Sequence, residues 1–584
     1  MAVKQYDSRS VWLQFLPFLD WIGELKDQGT LRADVIAGIT VALVLVPQSM
    51  AYAQLAGLPV YYGLYASFLP PMVAALFGSS RQLATGPVAV VSLMTAAALG
   101  PIAAGSPEGY LAYALLLAFM VGAFQMFLGV FRLGVLVDFL SHPVVIGFTN
   151  AGAIIIATSQ LSKLFGVSVE KAEHHYETVM RVVQAAMEHT HMPTLWMGLL
   201  SIGIMFGLKT YLPKIPNVLV AVMITTVLAW YTDFQGAGGA VVGTIPEGLP
   251  GFTLPAFDWE VIEQLVTAAV TISLIGFMEA ISIAKAMAAR TRQRLDANRE
   301  LIGQGLSNLV AGCFIGYPVS GSFSRSAVNI NAGAVTGFSS VVTGVVVGIT
   351  LLWLTPLLYH LPQATLAAVI IMAVINLIKL KPIVHAWKAQ PHDGVVAVIT
   401  FVLTLAMAPH LDKGILAGVA LSIGLFLYRT MRPRVAVLSR YHDGTLRDVA
   451  VRNLPTSPKI SIVRFDGSLY FANAGYFESK ILEVVAANPE LRYIIIDASA
   501  INQLDATGEE VLFHLTERLR ANGIELLFAQ MKKQFLDTLH RTKVIEEIGE
   551  ERFFARIQLA LEYVWDQLAP DYNRNTCPLR NPTL

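Results

Sequence analysis

Arg325 stands in the stretch GCFIGYPVSGSFSRSAVNINAGAV and is the only Lys, Arg, Asp or Glu between Glu300 and Lys379. An arginine at the centre of a membrane span costs roughly 2.5 to 3.5 kcal/mol, so one set this deep in apolar sequence faces a polar interior with a partner. Glu279, in LIGFMEAISIA, is a second anomaly, being the only acidic residue between Glu263 and Asp296. Desolvation at that depth favours a carboxyl that takes up and gives back a proton. Two partners for Arg325 stand open: a structural ion pair with Glu279, or a bound anion.

The elements that must position these groups are membrane spans. Of 584 residues, 55% are hydrophobic and 14% charged, with a mean hydropathy of +0.58, the composition of a polytopic membrane protein. Zero net charge argues against a nucleic-acid surface, and no nucleic-acid partner is expected. Cys313 and Cys577 lie too far apart in sequence for a disulfide framework or a CxxC metal site. No Walker A, HExxH or GxSxG motif is present, so ATP-driven transport, enzymatic catalysis and a cofactor lack local support. His174, His175, His189 and His191 gather loosely in one connection, where surface histidines are expected rather than a metal site.

Apolar segments run over about 34–55, 58–78, 84–100, 109–131, 143–165, 193–212, 215–233, 259–289, 298–317, 322–335, 337–358, 362–379, 393–410 and 413–430, fourteen in all. Lys and Arg near span ends favour the cytoplasm. With the N-terminus inside, inner segments hold Lys4, Arg9, Lys26, Arg32, Arg81, Arg132, Lys209, Lys214, Lys285, Arg290, Arg292, Arg294, Arg299, Lys379, Lys381, Lys388, Arg429, Arg432 and Arg434. Outer segments hold only Lys163, Lys171, Arg181 and Lys413. An even span count puts the C-terminal end inside as well. Residues 1–33 read as a cytoplasmic amphipathic lead-in with no signal-peptide pattern.

Seven segments per half makes any repeat between the halves inverted across the membrane. From Pro47 to Gly86 is 39 residues and from Glu279 to Ser320 is 41, and in each half the third segment is short and interrupted by Gly and Pro. These segments, LATGPVAVVSLMTAAA and GYPVSGSFSRSAVNINAGA, predict a brief extended piece followed by a half-helix. A helix that begins inside the membrane presents free N–H groups and a partial positive charge. Pro87–Val90 and Ser322–Arg325 could thus aim two helix starts at one midplane anion. Close helix packing is the alternative for either segment alone; their paired occurrence favours the anion.

After LYRTMRPRVAVLSR hydropathy falls, and KISIVRF, YIIIDAS and IELLFAQ read as strands, with helices over about 475–487, 508–521, 532–542 and 552–567. The boundaries expected are a transmembrane region 34–430, a soluble domain 437–568 and a tail 569–584.

PQSMAYAQLAGLPVYYGLY, TGPVAVVSLM, GFMEAISIAKAMA and SGSFSRSAVN resemble the sulfate permease (SulP/SLC26) family over nearly the whole chain. The resemblance implies two inverted seven-span repeats divided into core and gate domains, a cytoplasmic STAS domain, homodimers, elevator-like movement and residence in the inner membrane. It implies an anion site made of Gln48, Tyr52, the backbone at Val88 and Ala89, Glu279, Ser324 and Arg325. Gln48 and Tyr52 are four apart and share a helix face, which ordinary packing would also use. Sodium-coupled bicarbonate carriers of the family pair an Asp with a hydroxyl residue one turn later; here the pair is Glu279 and Ile283, which favours a proton as coupling ion. Sulfate leads the substrates, with bicarbonate, a C4-dicarboxylate, passive anion conduction or exchange, and a membrane-anchored scaffold as alternatives. The STAS turn LDATG, Leu504–Gly508, has Ala506 and Thr507 where related regulators carry a phosphorylated Ser, so a scaffold role toward a cytoplasmic partner is expected.

Overall fold

The computed structural model describes residues 16–103, 106–135, 140–170, 172–212, 215–568 and 572–580. Lys4, Arg9, Lys171 and Lys214, most of the lead-in, and residues 569–571 and 581–584 of the tail lie outside them. Backbone contacts divide the chain into two units, one ending at Ser422 and the other beginning at Ile423.

In the first unit every apolar segment contains a helix, and its length follows from how the chain breaks it. Among the described residues eight helices are long and apolar enough to cross a membrane, including Gln28–Leu55, Pro107–Val130 and Trp259–Thr291. Asp27 starts the first by accepting a hydrogen bond from the Thr30 N–H at 2.9 Å. The second segment splits into Tyr61–Tyr65 and Leu69–Phe77 just ahead of the Pro70–Pro71 pair. Two helices occupy connections outside the segment count: His175–His189 after the fifth segment and Leu380–Ala389 after the twelfth.

The third and tenth segments form the extended pieces and half-helices that their sequences predict. Strands Ala84–Gly86 and Ser320–Ser322 pair antiparallel, with Ala84 opposite Ser322 and Gly86 opposite Ser320. Half-helices Ala89–Leu99 and Phe323–Asn331 follow them. Pairing supplies backbone partners that lipid cannot, and the antiparallel direction is what an inverted repeat requires.

A polar ladder on the helix Ala297–Cys313 holds this arrangement in place. Glu300, Gln304 and Asn308 are buried at four-residue intervals on one face. Glu300 accepts the N–H groups of Ser79 and Ser80, both at 2.9 Å, and Gln304 donates to Thr85 Oγ1 at 2.9 Å. Asn308 binds both backbone groups of Val319, accepting its N–H at 2.8 Å and donating to its carbonyl at 3.0 Å. It also donates to Gln125 Oε1 at 3.1 Å, on the helix Pro107–Val130. Those two helices touch closely because glycines line the seam: a Cβ on Gly122 would sit 2.4 Å from the Leu309 backbone nitrogen.

The second unit carries a six-stranded sheet. In spatial order its strands are Leu446–Asp448, Val435–Arg440, Ile460–Phe465, Tyr493–Asp497, Glu525–Ala529 and Phe553–Phe554. The last four are joined in parallel pairs, with helices Ala474–Ala487, Ala506–Ala521, Lys533–Thr542 and Ile557–Leu568 between or after them. The three predicted strands and four predicted helices are present. The antiparallel strands Val435–Arg440 and Leu446–Asp448 are additions, half-polar enough to pass for the end of the preceding span, and so is Phe553–Phe554, which takes the start of the helix expected from 552, so that this helix begins at Ile557.

Candidate functional site

Each half-helix begins where its strand ends. Val88 is extended and starts Ala89–Leu99, whose first backbone return is Ser92 N–H to Val88 O at 3.0 Å. Ser322 starts Phe323–Asn331, its hydroxyl accepting from the Arg325 N–H at 3.4 Å. The first-turn N–H groups of both helices therefore lack intrahelical acceptors. Val88, Ala89, Val90, Ser322, Phe323 and Ser324 line one cavity of about 1620 Å³.

Gln48 and Tyr52, from the helix Gln28–Leu55, line the same cavity, as does Glu279 from the helix Trp259–Thr291. Of the residues anticipated for a site, only Arg325 is not in the wall. Its side chain is fully buried, and Nε, Nη1 and Nη2 all lack a hydrogen-bond partner among the described residues. Tyr52, Tyr317 and Glu279 are the titratable groups close enough to feel its charge. Gly86, at φ +148°, gives it room: a Cβ there would lie 3.3 Å from Arg325 Nη2.

Buried Gln48 Oε1 and Glu279 Oε2 also lack partners. Glu279 and Arg325 therefore share no hydrogen bond, and the structural ion pair left open by the sequence is not formed. A cation held dry and unpaired costs several kcal/mol. Ile283, one turn after Glu279, puts a hydrocarbon surface in the wall. Lys209, Lys285 and Lys379 also line the cavity.

Sequence reasoning passed over Tyr317 and the ladder of Glu300, Gln304 and Asn308. Tyr317 is fully buried, with its hydroxyl 3.3 Å from Ser92 Oγ, and so joins the chain ahead of one half-helix to the body of the other. The available signal was the run ELIGQGLSN, which places three polar residues on one helical face in apolar surroundings. The four histidines are engaged separately: His175 Nε2 lies 2.8 Å from Thr158 Oγ1, and His191 contacts Thr194 Oγ1 at 2.7 Å. In the LDATG turn, Asp505 caps Ala506–Ala521 by accepting the Gly508 N–H at 2.8 Å and also accepts the Phe471 N–H at 2.9 Å, while Thr507 is exposed.

Comparison with known proteins places these features in a family. Residues 31–400 match the model of the sulfate permease family and residues 452–560 that of the STAS domain. The chain is 35% identical over 583 residues to the chloroplastic sulfate transporter 4.1 of Arabidopsis thaliana, covering 95% of this chain and 84% of that protein. It is 34% identical to a probable sulfate transporter of Mycobacterium tuberculosis, covering 91% and 95%. The structure of the murine Solute Carrier 26 family member A9 anion transporter in the inward-facing state matches with a TM-score of 0.88 at 23% identity, covering 97% of this chain and 96% of that one. Fold and sequence agree. The chain belongs to the sulfate permease family, with a fourteen-span inverted-repeat fold followed by a STAS domain.

Proposed function

We propose that the chain is a secondary active transporter of small oxyanions, foremost sulfate, driven by protons carried on Glu279. The observation that carries this is the unpaired, fully buried Arg325 behind two half-helix starts on a cavity that also holds an unpaired Glu279 oxygen. The names of the two relatives support sulfate.

The anion sits between the first-turn N–H groups of Ala89 and Val90 and those of Phe323 and Ser324, with Gln48 and Tyr52 on the open side. Arg325 adds a full charge from behind. With Glu279 ionised, its charge opposes that of Arg325 and a dianion binds weakly. With Glu279 protonated, the cation is uncompensated and the dianion binds well. Linkage makes the effect reciprocal, so a bound anion holds the proton on Glu279. A dianion entering against 100 mV is opposed by roughly 4.6 kcal/mol, and each accompanying proton removes about 2.3. The hydrocarbon of Ile283 offers sodium no oxygen at the position one turn after Glu279.

Lys209, Lys285 and Lys379 belong to the segments that the cation rule assigns to the cytoplasm, so this conformation is open to the inside of an inner-membrane protein with cytoplasmic termini. The ladder joins both strands to the helix Pro107–Val130, which suits movement of strands, half-helices and ladder as one body in an elevator cycle. Transport is assigned to residues 34–430, working as a homodimer, and 437–568 serve as a scaffold for a cytoplasmic partner.

The test is uptake by purified protein in liposomes under imposed proton or sodium gradients, with sulfate, bicarbonate and succinate compared. Sulfate accumulation with an inward proton gradient supports the proposal. Accumulation driven only by sodium, or flux that merely equilibrates, contradicts it.

A further inference from the structure

Leu380–Ala389, the short helix after the twelfth segment, has three distinct faces. Pro382, Ile383 and Ala386 are half-buried against the protein. Leu380, Val384 and Trp387, spaced by four and three, form an apolar stripe exposed at 68%, 51% and 49%. Lys381, His385 and Lys388 form a third, exposed and basic face. The backbone N–H of the preceding residue, Lys379, anchors the helix start by donating to Asn150 Oδ1 at 2.7 Å.

His175–His189 holds the corresponding place after the fifth segment and repeats the design. Val182 is buried, Tyr176, Met180, Val183 and Met187 form an exposed apolar stripe, and the remaining face carries Glu177, Arg181 and Glu188. An inverted repeat puts the two helices at opposite membrane surfaces. A helix with one face on protein, one apolar and one charged fits the boundary between acyl chains and headgroups. Of the two, the helix with Lys381 and Lys388 has its apolar stripe beside a purely basic face, and it lies in a connection assigned to the cytoplasm.

We propose that Leu380–Ala389 is an interfacial helix that docks on anionic phospholipid of the cytoplasmic leaflet, Leu380, Val384 and Trp387 entering the acyl boundary while Lys381 and Lys388 bind headgroup phosphates. A lysine near an anionic surface is worth roughly a fivefold preference, so two give up to ~30-fold enrichment at low salt, fading as salt rises. The helix is thereby a lipid-sensitive strap between the twelfth and thirteenth spans.

The test uses the full chain with Cys313→Ser and Cys577→Ser, carrying an NBD label on Val384→Cys or on His385→Cys, in phosphatidylcholine vesicles. Quenchers are doxyl-labelled phosphatidylglycerol, doxyl-labelled phosphatidylcholine and aqueous cobalt. The label at 384 is expected to be quenched by lipid and spared by cobalt, and the label at 385 the reverse, a contrast that a misfolded chain would not give. Doxyl-phosphatidylglycerol should quench at 384 several-fold more than doxyl-phosphatidylcholine, and Lys381→Gln with Lys388→Gln should abolish that difference. Cobalt quenching at 384, protection from every quencher as under a second protein, or equal quenching by the two lipids in the chain with both lysines would each overturn the proposal. None of these readouts needs transport, so they stand apart from the assignment of Glu279 and Arg325.

Discussion

Replacing Asn308 by Ala removes the group that holds the second strand in position. Three buried atoms then lose their partners: the Val319 N–H at 2.8 Å, the Val319 carbonyl at 3.0 Å and Gln125 Oε1 at 3.1 Å. Each orphaned buried group costs about 1–3 kcal/mol, and partial relaxation brings the sum to about 3–6 kcal/mol. That is a large share of the roughly 5–15 kcal/mol that separates folded from unfolded protein. For a unit this large it corresponds to a fall of about 3–7 °C in apparent Tm. Because the lost bonds fix the approach to Ser320–Ser322, anion affinity should fall even below the transition. Gln125→Ala costs far less, about 1 kcal/mol, since the Asn308 amide keeps its bonds to Val319 and to the Gln304 carbonyl. Thermal retention of the detergent-solubilised dimer or monomer peak, with sulfate titrated into each variant, measures both effects. The double variant should be less damaged than the sum of the singles, because the two side chains share one bond. An Asn308→Ala protein with unchanged Tm and anion affinity would refute the ladder as the element that positions the half-helices.

Arg325→Ala should weaken sulfate binding at least tenfold while leaving detergent stability nearly unchanged, since the guanidinium makes no hydrogen bond that folding would lose; adding Glu279→Ala should rescue nothing. Gly86→Ala should cost about 1 kcal/mol or more through its φ of +148° and also displace Arg325, lowering sulfate affinity severalfold in equilibrium binding. Asp505→Ala should loosen the start of Ala506–Ala521 by about 1–2 kcal/mol, read as faster amide exchange at Phe471 and Gly508. Deleting 437–584 should lower expression or rate yet leave the order of anion preference intact, as measured by competition for uptake.

The features most visible in the sequence were those that membrane physics makes expensive. A lone Arg325, a lone Glu279 and two Gly/Pro-broken segments of matching spacing point to half-helix starts. Soluble strands were equally plain, because YIIID and ELLFA can only be buried on both faces of a parallel sheet. The polar ladder was harder to see. Glu300 looks like an ordinary charged residue at a helix start, and its burial depends on Ser79 and Ser80, more than two hundred residues away in sequence. Leu380–Ala389 was hidden for the opposite reason, its lysines placing it among the connections while its apolar stripe is too short to register as a span.

The account's central claim is that Glu279 carries the coupling proton to the anion bound beside Arg325. Glu279→Gln keeps the size and hydrogen-bonding capacity of the side chain while abolishing its titration. In liposomes with an inward proton gradient, wild type should accumulate sulfate, and faster as the outside pH falls. Glu279→Gln should still bind and exchange sulfate across the membrane, but accumulate none, with a rate that no longer depends on pH. Proton-driven accumulation that survives Glu279→Gln unchanged would contradict the account.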